Sequence, residues 1–199
     1  MIRELYKKII SFNNKELNSI STSYINEYVP VIGLNNSIET DDYFHLESGK
    51  EHYRLLTSIS YLINDSLIFD VGTNYCLSAI ALSQNKTNKV LSYDIVDKID
   101  SEYREKKLSN LNIEFIIDDC RKDSRLKDCN LIFFDAEHDG VFENIFYEHL
   151  KITNWKGILL LDDINLNSPM INFWSSIKEE KYDITPIGHW SGTGIVIFE

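Results

Sequence analysis

The spacing of apolar and polar positions changes several times along the chain, and each change marks an element. Residues 2–19 place Leu5, Ile9, Phe12 and Leu17 roughly on one stripe with lysines opposite, which predicts an amphipathic helix. Residues 20–48 keep no period. They contain Pro30, Gly33 and an acidic, aromatic run that includes Tyr43 and Phe44, and read as a cover over a site or a loose connection. After Gly49, the residues Tyr53, Leu56, Ile59, Ser60 and Ile63 share a helical face. Leu67–Val71 is a short apolar run suited to a strand buried on both faces, and past Gly72 the helical period resumes at Leu77, Ile80 and Ala81.

From there strand and helix patterns alternate. Strands are expected at Lys89–Asp94, Ile113–Ile117, Leu131–Asp135 and Gly157–Leu161. Helices are expected at Ser101–Leu111, Val141–Ile152 and Ser168–Glu180, the last capped by Ser168 with Pro169 at its first position. Tyr182–Ile187 and Gly194–Phe198, joined by residues 188–193, suit an antiparallel hairpin. The pattern predicts an α/β fold: a doubly wound, seven-stranded, mostly parallel sheet with helices on both faces and an antiparallel C-terminal hairpin. At 199 residues this is one domain, with an N-terminal helix and cover segment over 1–49 and a core over 50–199.

Composition narrows the function. A hydrophobic content of 43% is that of a folded chain, and a formal charge of −11 disfavours a nucleic-acid surface. Cys76, Cys120 and Cys129 form no CxxC pair, which fits a reducing compartment. No apolar run is long enough for a membrane span and the first residues carry no apolar leader, so a cytoplasmic protein is expected.

In sheets of this kind ligands gather at the carboxyl ends of the strands. Five consecutive predicted strands end in acids: Asp70, Asp94, Asp118-Asp119, Asp135 and Asp162-Asp163. One such Asp is an ordinary turn residue, but five along one edge repel each other unless cations or hydroxyl donors satisfy them. Gly72, between a strand and a helix, lets a ligand approach the backbone. Asp94, at the next strand end, can hold the hydroxyls of a ribose, and Asp119 can accept from an adenine amino group; capping roles are the alternatives. No GxGxxG follows the first strand, which disfavours a dehydrogenase.

The set Asp70-Val-Gly72, Asp94, Asp118-Asp119, Leu-Ile-Phe-Phe-Asp135 and Leu-Leu-Leu-Asp162-Asp163 resembles the class I S-adenosylmethionine-dependent methyltransferases over about residues 50–199. It departs from them in having Cys76 where a further glycine is usual. The resemblance implies a Rossmann-like methyltransferase fold and S-adenosylmethionine as cofactor. It implies a donor site with Asp70, Gly72, Asn74, Ser78, Asp94, Asp119 and Cys120. Within that family the chain is most similar to metal-dependent O-methyltransferases of small molecules and sugars. That similarity implies a divalent metal, most plausibly Mg²⁺, on Asp135, Asp162 and Asp163. Adjacent strand tips lie about 4.8 Å apart, so three carboxylates there would crowd, and no basic residue stands near them in sequence. His138 takes the place of the family's proton-accepting lysine, with Asp135 the rival base.

The expected reaction is methyl transfer to a hydroxyl of a small molecule or sugar, with Tyr43, Phe44, His189 and Trp190 available to stack on it. The alternatives are a metal-independent methyltransferase and a nucleotide-binding module without catalysis. No nucleic-acid or membrane partner is expected, and a homo-oligomer stays open.

Overall fold

The computed structural model describes residues 2–27, 45–98 and 108–199. The predicted helix Ser101–Leu111 falls largely outside these residues, as do residues 28–44 of the expected cover with Tyr43 and Phe44.

Seven strands form one sheet in the order β3-β2-β1-β4-β5-β7-β6. They are β1 Leu67–Val71, β2 Lys89–Asp94, β3 Ile113–Ile117, β4 Leu131–Phe134, β5 Gly157–Asp162, β6 Glu180–Asp183 and β7 Thr193–Phe198. The first five run parallel, and β7 is antiparallel to both β5 and β6. The doubly wound sheet with its antiparallel hairpin is thus the one expected from the pattern.

The apolar runs in the central strands are nearly continuous because both faces are covered. Alternate residues supply the two sides. Ile68, Leu131, Phe133, Ile158 and Leu160 face a core shared with Leu5, Ile9, Leu17, Leu55, Ile59 and Ile80. Phe69, Ile132, Phe134, Leu159 and Leu161 face the other core, with Phe146, Leu150 and Phe173. The first side is covered by α1 (Ile2–Ile10), α2 (Asn14–Asn18), α3 (Tyr53–Leu62) and α4 (Leu77–Leu82), the second by α5 (Val141–Ile152) and α6 (Ser168–Ser176).

Several boundaries differ from the sequence expectation for local reasons. The helix predicted over 2–19 is two, because Asn13 turns extended and its side chain accepts from the Glu16 N–H to start a second helix. Asn167, not Ser168, caps α6 by accepting from Met170 N, and the helix ends at Ser176 rather than Glu180. The strand predicted at Tyr182–Ile187 lies at Glu180–Asp183. Pro186 has no N–H for a ladder, and Thr185–Ile187 forms a 3₁₀ turn. Asp70 is not a strand end: β1 runs on to Val71, with Asp70 in register with Ser92. Among the described residues no helix is long and apolar enough to cross a membrane.

Candidate active site

The turn after β1 sets the geometry. Gly72 has φ +102°, and a Cβ there would stand 1.8 Å from the Asp135 carbonyl oxygen, so only glycine fits. The N–H groups of Gly72 and Thr73 both donate to the Tyr93 carbonyl, at 2.9 and 3.0 Å, tying the turn to β2. Cys76, at the family's further glycine, takes the left-handed conformation (φ +63°) and is fully buried. A small side chain therefore accepts the backbone shape that a glycine would supply freely.

Two cavities of about 320 Å³ meet at Gly72. The first lies over the tips of β1, β2 and β4 and is walled by Tyr93, Asp94, Ile95, Asp119, Cys120 and Phe142 among others. Asp94 Oδ2 accepts from Asn74 N at 2.9 Å and Oδ1 from Val96 N at 3.0 Å, which orients the carboxylate at the cavity edge. Asp119 caps a 3₁₀ turn and holds Arg121 in a bidentate pair, and Asp118 pairs with Lys122. Asp70 touches neither cavity wall. It is completely buried behind the turn, where Oδ2 accepts from the Ser92 hydroxyl at 2.6 Å. Burial raises its pKa to about 6, against the opposing pull of the Ser92 and Ser78 hydroxyls.

The second cavity lies over β4 and β5 and is lined by Glu51, His52, Asn74, Ser78, Asp135, Asp162, Asp163 and His189, with Gly72 and others. Asp135 follows the last residue of β4, Asp162 ends β5, and Asp163 follows it at φ +59°. The three carboxylates predicted as one cluster share this cavity, with Asp135 and Asp162 facing different histidines and Asp163 facing both His138 and His189. His138 stands between Asp135 and Asp163, with Nε2 3.4 Å from Asp135 Oδ1 and Nδ1 3.3 Å from Asp163 Oδ2. Asp162 Oδ2 instead lies 3.3 Å from His52 Nδ1 and 3.4 Å from His189 Nδ1. The basic partners invisible in the local sequence are histidines, and Lys151 and Lys156 bond elsewhere, to Glu148 and the Glu199 carbonyl.

The His138 loop is clamped from both sides. Glu137 and His138 both have positive φ. Glu143 Oε1 accepts from the His138 N–H at 2.7 Å, and Asn167 Nδ2 donates to the His138 carbonyl at 2.9 Å. The Ser191 hydroxyl donates to Asp163 and lies 2.7 Å from His189 Nδ1, tying the hairpin to the strand tip.

Charges in this cavity oppose burial. For His52, burial works against the proton, but Glu51 and Asp162 outweigh it and lift the pKa to about 9. Burial likewise opposes the charge on His189, and hydrogen bonds to Asp162 and Asp163 lift it to about 10. Enclosure raises the Asp135 carboxyl well above its usual range, and the Asp162 charge adds to this. Burial tends to raise Asp162 too, yet His52 and His189 hold it below the ordinary carboxylate range. Three of the five histidines of the chain converge on these carboxylates. Sequence reasoning singled out His138, and His189 only as a stacking residue. It missed Glu51, His52 and Ser191; the pair Glu51-His52 just before a helix is the one signal that could have drawn notice.

No protein-family profile matches the sequence, and no curated protein matches it. Solved structures do. The chain superposes on a methyltransferase of Podospora anserina, PaMTH1, bound to S-adenosylhomocysteine, with TM-score 0.61 and 14% identity over 100% of this chain and 97% of that one. The fold is that of the class I methyltransferases. The O-methyltransferase TomG of Streptomyces achromogenes, involved in tomaymycin synthesis and solved with S-adenosylmethionine, gives TM-score 0.56 and 12% identity over 99% and 96% of the two chains. A methyltransferase of Geobacter sulfurreducens gives 0.56 and 14% over 90% and 99%. The likeness extends beyond the sheet, over 90–100% of this chain in these three comparisons.

Proposed function

We propose that the protein is an S-adenosylmethionine-dependent O-methyltransferase that methylates a hydroxyl of a small molecule or sugar. The observation that carries this reading is the junction at Gly72. A largely apolar cavity edged by Asp94 and Asp119 meets a cavity of carboxylates and histidines across one glycine. Adenosine would lie in the first, with Asp94 accepting from the ribose hydroxyls and Asp119 and Cys120 beside the base. The methionine end would cross Gly72 toward Asn74 and Ser78, so that the methyl group faces the second cavity. Binding two reactants on either side of one fixed turn supplies orientation, a large share of the help an enzyme can give to direct transfer.

His138, which stands between two carboxylates that line the second cavity, would take the proton of the acceptor hydroxyl. Its two ring nitrogens face Asp135 and Asp163, which orient the ring for that transfer. The clamp from Glu143 and Asn167 fixes its backbone for that task.

The residues also fit a divalent cation. The ligand atoms of Asp135, His138 and Asp163 lie within 4.8 Å of one another, and the buried Oδ1 of the neighbouring Asp162 has no hydrogen-bond partner. Asp135 and Asp163 would hold the ion with Asp162 beside them and His138 within reach, and a cation there would lower the pKa of a nearby hydroxyl. The histidines against Asp162 favour a second reading, a metal-independent enzyme whose carboxylates are neutralised by His52 and His189. Turnover of labelled donor against a panel of hydroxylated acceptors, with and without chelator, tests the function and separates the two readings. Donor binding without turnover of any acceptor would leave the non-catalytic module.

A further inference from the structure

His52, Asp162 and His189 come from three distant parts of the chain, yet their ligand atoms lie within 4.8 Å of one another and all three residues are buried. His52 Nε2 and Asp162 Oδ1 have no hydrogen-bond partner, and His52 Nδ1 faces only the Glu51 and Asp162 carboxylates at 3.3 Å, although each atom is fully shielded from solvent. Buried polar atoms left without partners are costly and ask for an explanation. The separations supply one. His52 Nδ1 and His189 Nδ1 stand 3.3 and 3.4 Å from Asp162 Oδ2, close to the edge of about 3.35 Å expected between ligands bound tetrahedrally at about 2.05 Å.

We propose that His52, Asp162 and His189 bind a divalent transition ion of the zinc, cobalt and iron class, with one coordination position left open to the cavity. The proposal rests on the cation half of the reading above and changes both its ligands and its ion. Magnesium prefers an oxygen shell and sheds water reluctantly, whereas two imidazoles and one carboxylate suit a later transition ion. Glu51 adds a second carboxylate beside the ion, 3.3 Å from His52 Nδ1 and 4.0 Å from His189 Nε2. At His189 the ion replaces the proton that Nδ1 shares with Ser191, and the Ser191 hydroxyl stays on Asp163. All three ligands line the cavity that also holds Asp135 and Asp163, so an acceptor there can reach the open position.

The test is binding of Co²⁺ to the metal-stripped protein, followed by its visible absorption. Expected are one equivalent bound with the intense bands of a four- or five-coordinate ion, and preference over a large excess of Mg²⁺. His52→Ala and His189→Ala should each weaken binding by about 100-fold or more, with Asp135→Asn far less affected. Circular dichroism checks that the variants are folded. Splitting from two nitrogens in the electron paramagnetic resonance spectrum of the Cu²⁺-loaded wild type gives the same answer without any variant, because the group of Asp135, His138 and Asp163 offers only one imidazole. Binding lost in Asp135→Asn but kept in both histidine variants, or splitting from one nitrogen or none, overturns the proposal and leaves the ion on the carboxylates around His138. No Co²⁺ binding at all overturns both cation claims, while the methyl-transfer reading is tested separately by donor titration.

Discussion

The two cavities that meet at Gly72 are equal in size and opposite in character. On the proposed donor side the acids at the tips of β2 and β3 are already settled. Asp94 is held by backbone N–H groups, Asp119 by Arg121 and Asp118 by Lys122. On the acceptor side acids and histidines are packed together against burial. Asp135 is pushed toward its neutral form while His52 and His189 are pushed toward their charged forms. A region with its electrostatics locally satisfied recognises a ligand by shape and a few hydrogen bonds. A region of concentrated, mutually dependent charge shifts protons and holds ions, and that is where chemistry belongs.

The sharpest way to break this contrast is to remove Asp162. Asp162→Ala should abolish measurable turnover while leaving donor affinity nearly unchanged, because the residue lies wholly on the acceptor side. A parallel loss of donor binding, measured by calorimetry, would mean that Asp162 also serves the methionine end, since Asn74 and Ser78 line the same cavity. His138→Ala should slow turnover by about 10²–10⁴-fold and change the pH profile, as removal of a general base does. An unchanged rate and profile would assign the proton to another group. On the donor side, Asp94→Ala removes charge-assisted hydrogen bonds worth about 1.5–3 kcal/mol, a loss of roughly 10–100-fold in affinity for S-adenosylmethionine. The maximal rate with saturating donor should change much less.

A smaller effect should appear in stability. The folded-state pKa values of His52 and His189 lie above the unfolded value of 6.5, at about 9 and 10. The folded protein therefore binds more protons than the unfolded chain between those limits. In chelator, the contribution of these pairs is complete below pH 6.5 and is lost as pH rises through about 9 to 10. Urea midpoints over that range should fall, and His189→Gln should flatten the slope. A midpoint that holds level in the wild type would contradict the charge assignment.

Much of this organisation was legible in the sequence, and the reason is periodicity. Strands buried on both faces write continuous apolar runs, and the rule that ligands gather at strand carboxyl ends then selects Asp94, Asp135, Asp162 and Asp163 without further information. Asp70 shows the limit of that rule. It sits one residue short of the strand end, and its partner is Ser92 of the neighbouring strand. His52 and His189 were not legible as partners of Asp162, because a histidine carries no local pattern and its role is decided by what a distant segment brings to it. The helix break at Asn13 and the short β6 were missed for the opposite reason. There a single side-chain cap and a single proline overrode a pattern that ran on through them.

The central claim is that the turn at Gly72 joins a donor site to a reaction site. Calorimetric titration of the purified protein with S-adenosylmethionine tests it most directly. The account predicts saturable binding of one donor per chain, weakened in Asp94→Ala and preserved in Asp162→Ala. A folded protein that takes up no donor, or that binds it equally well without the Asp94 carboxylate, would contradict it.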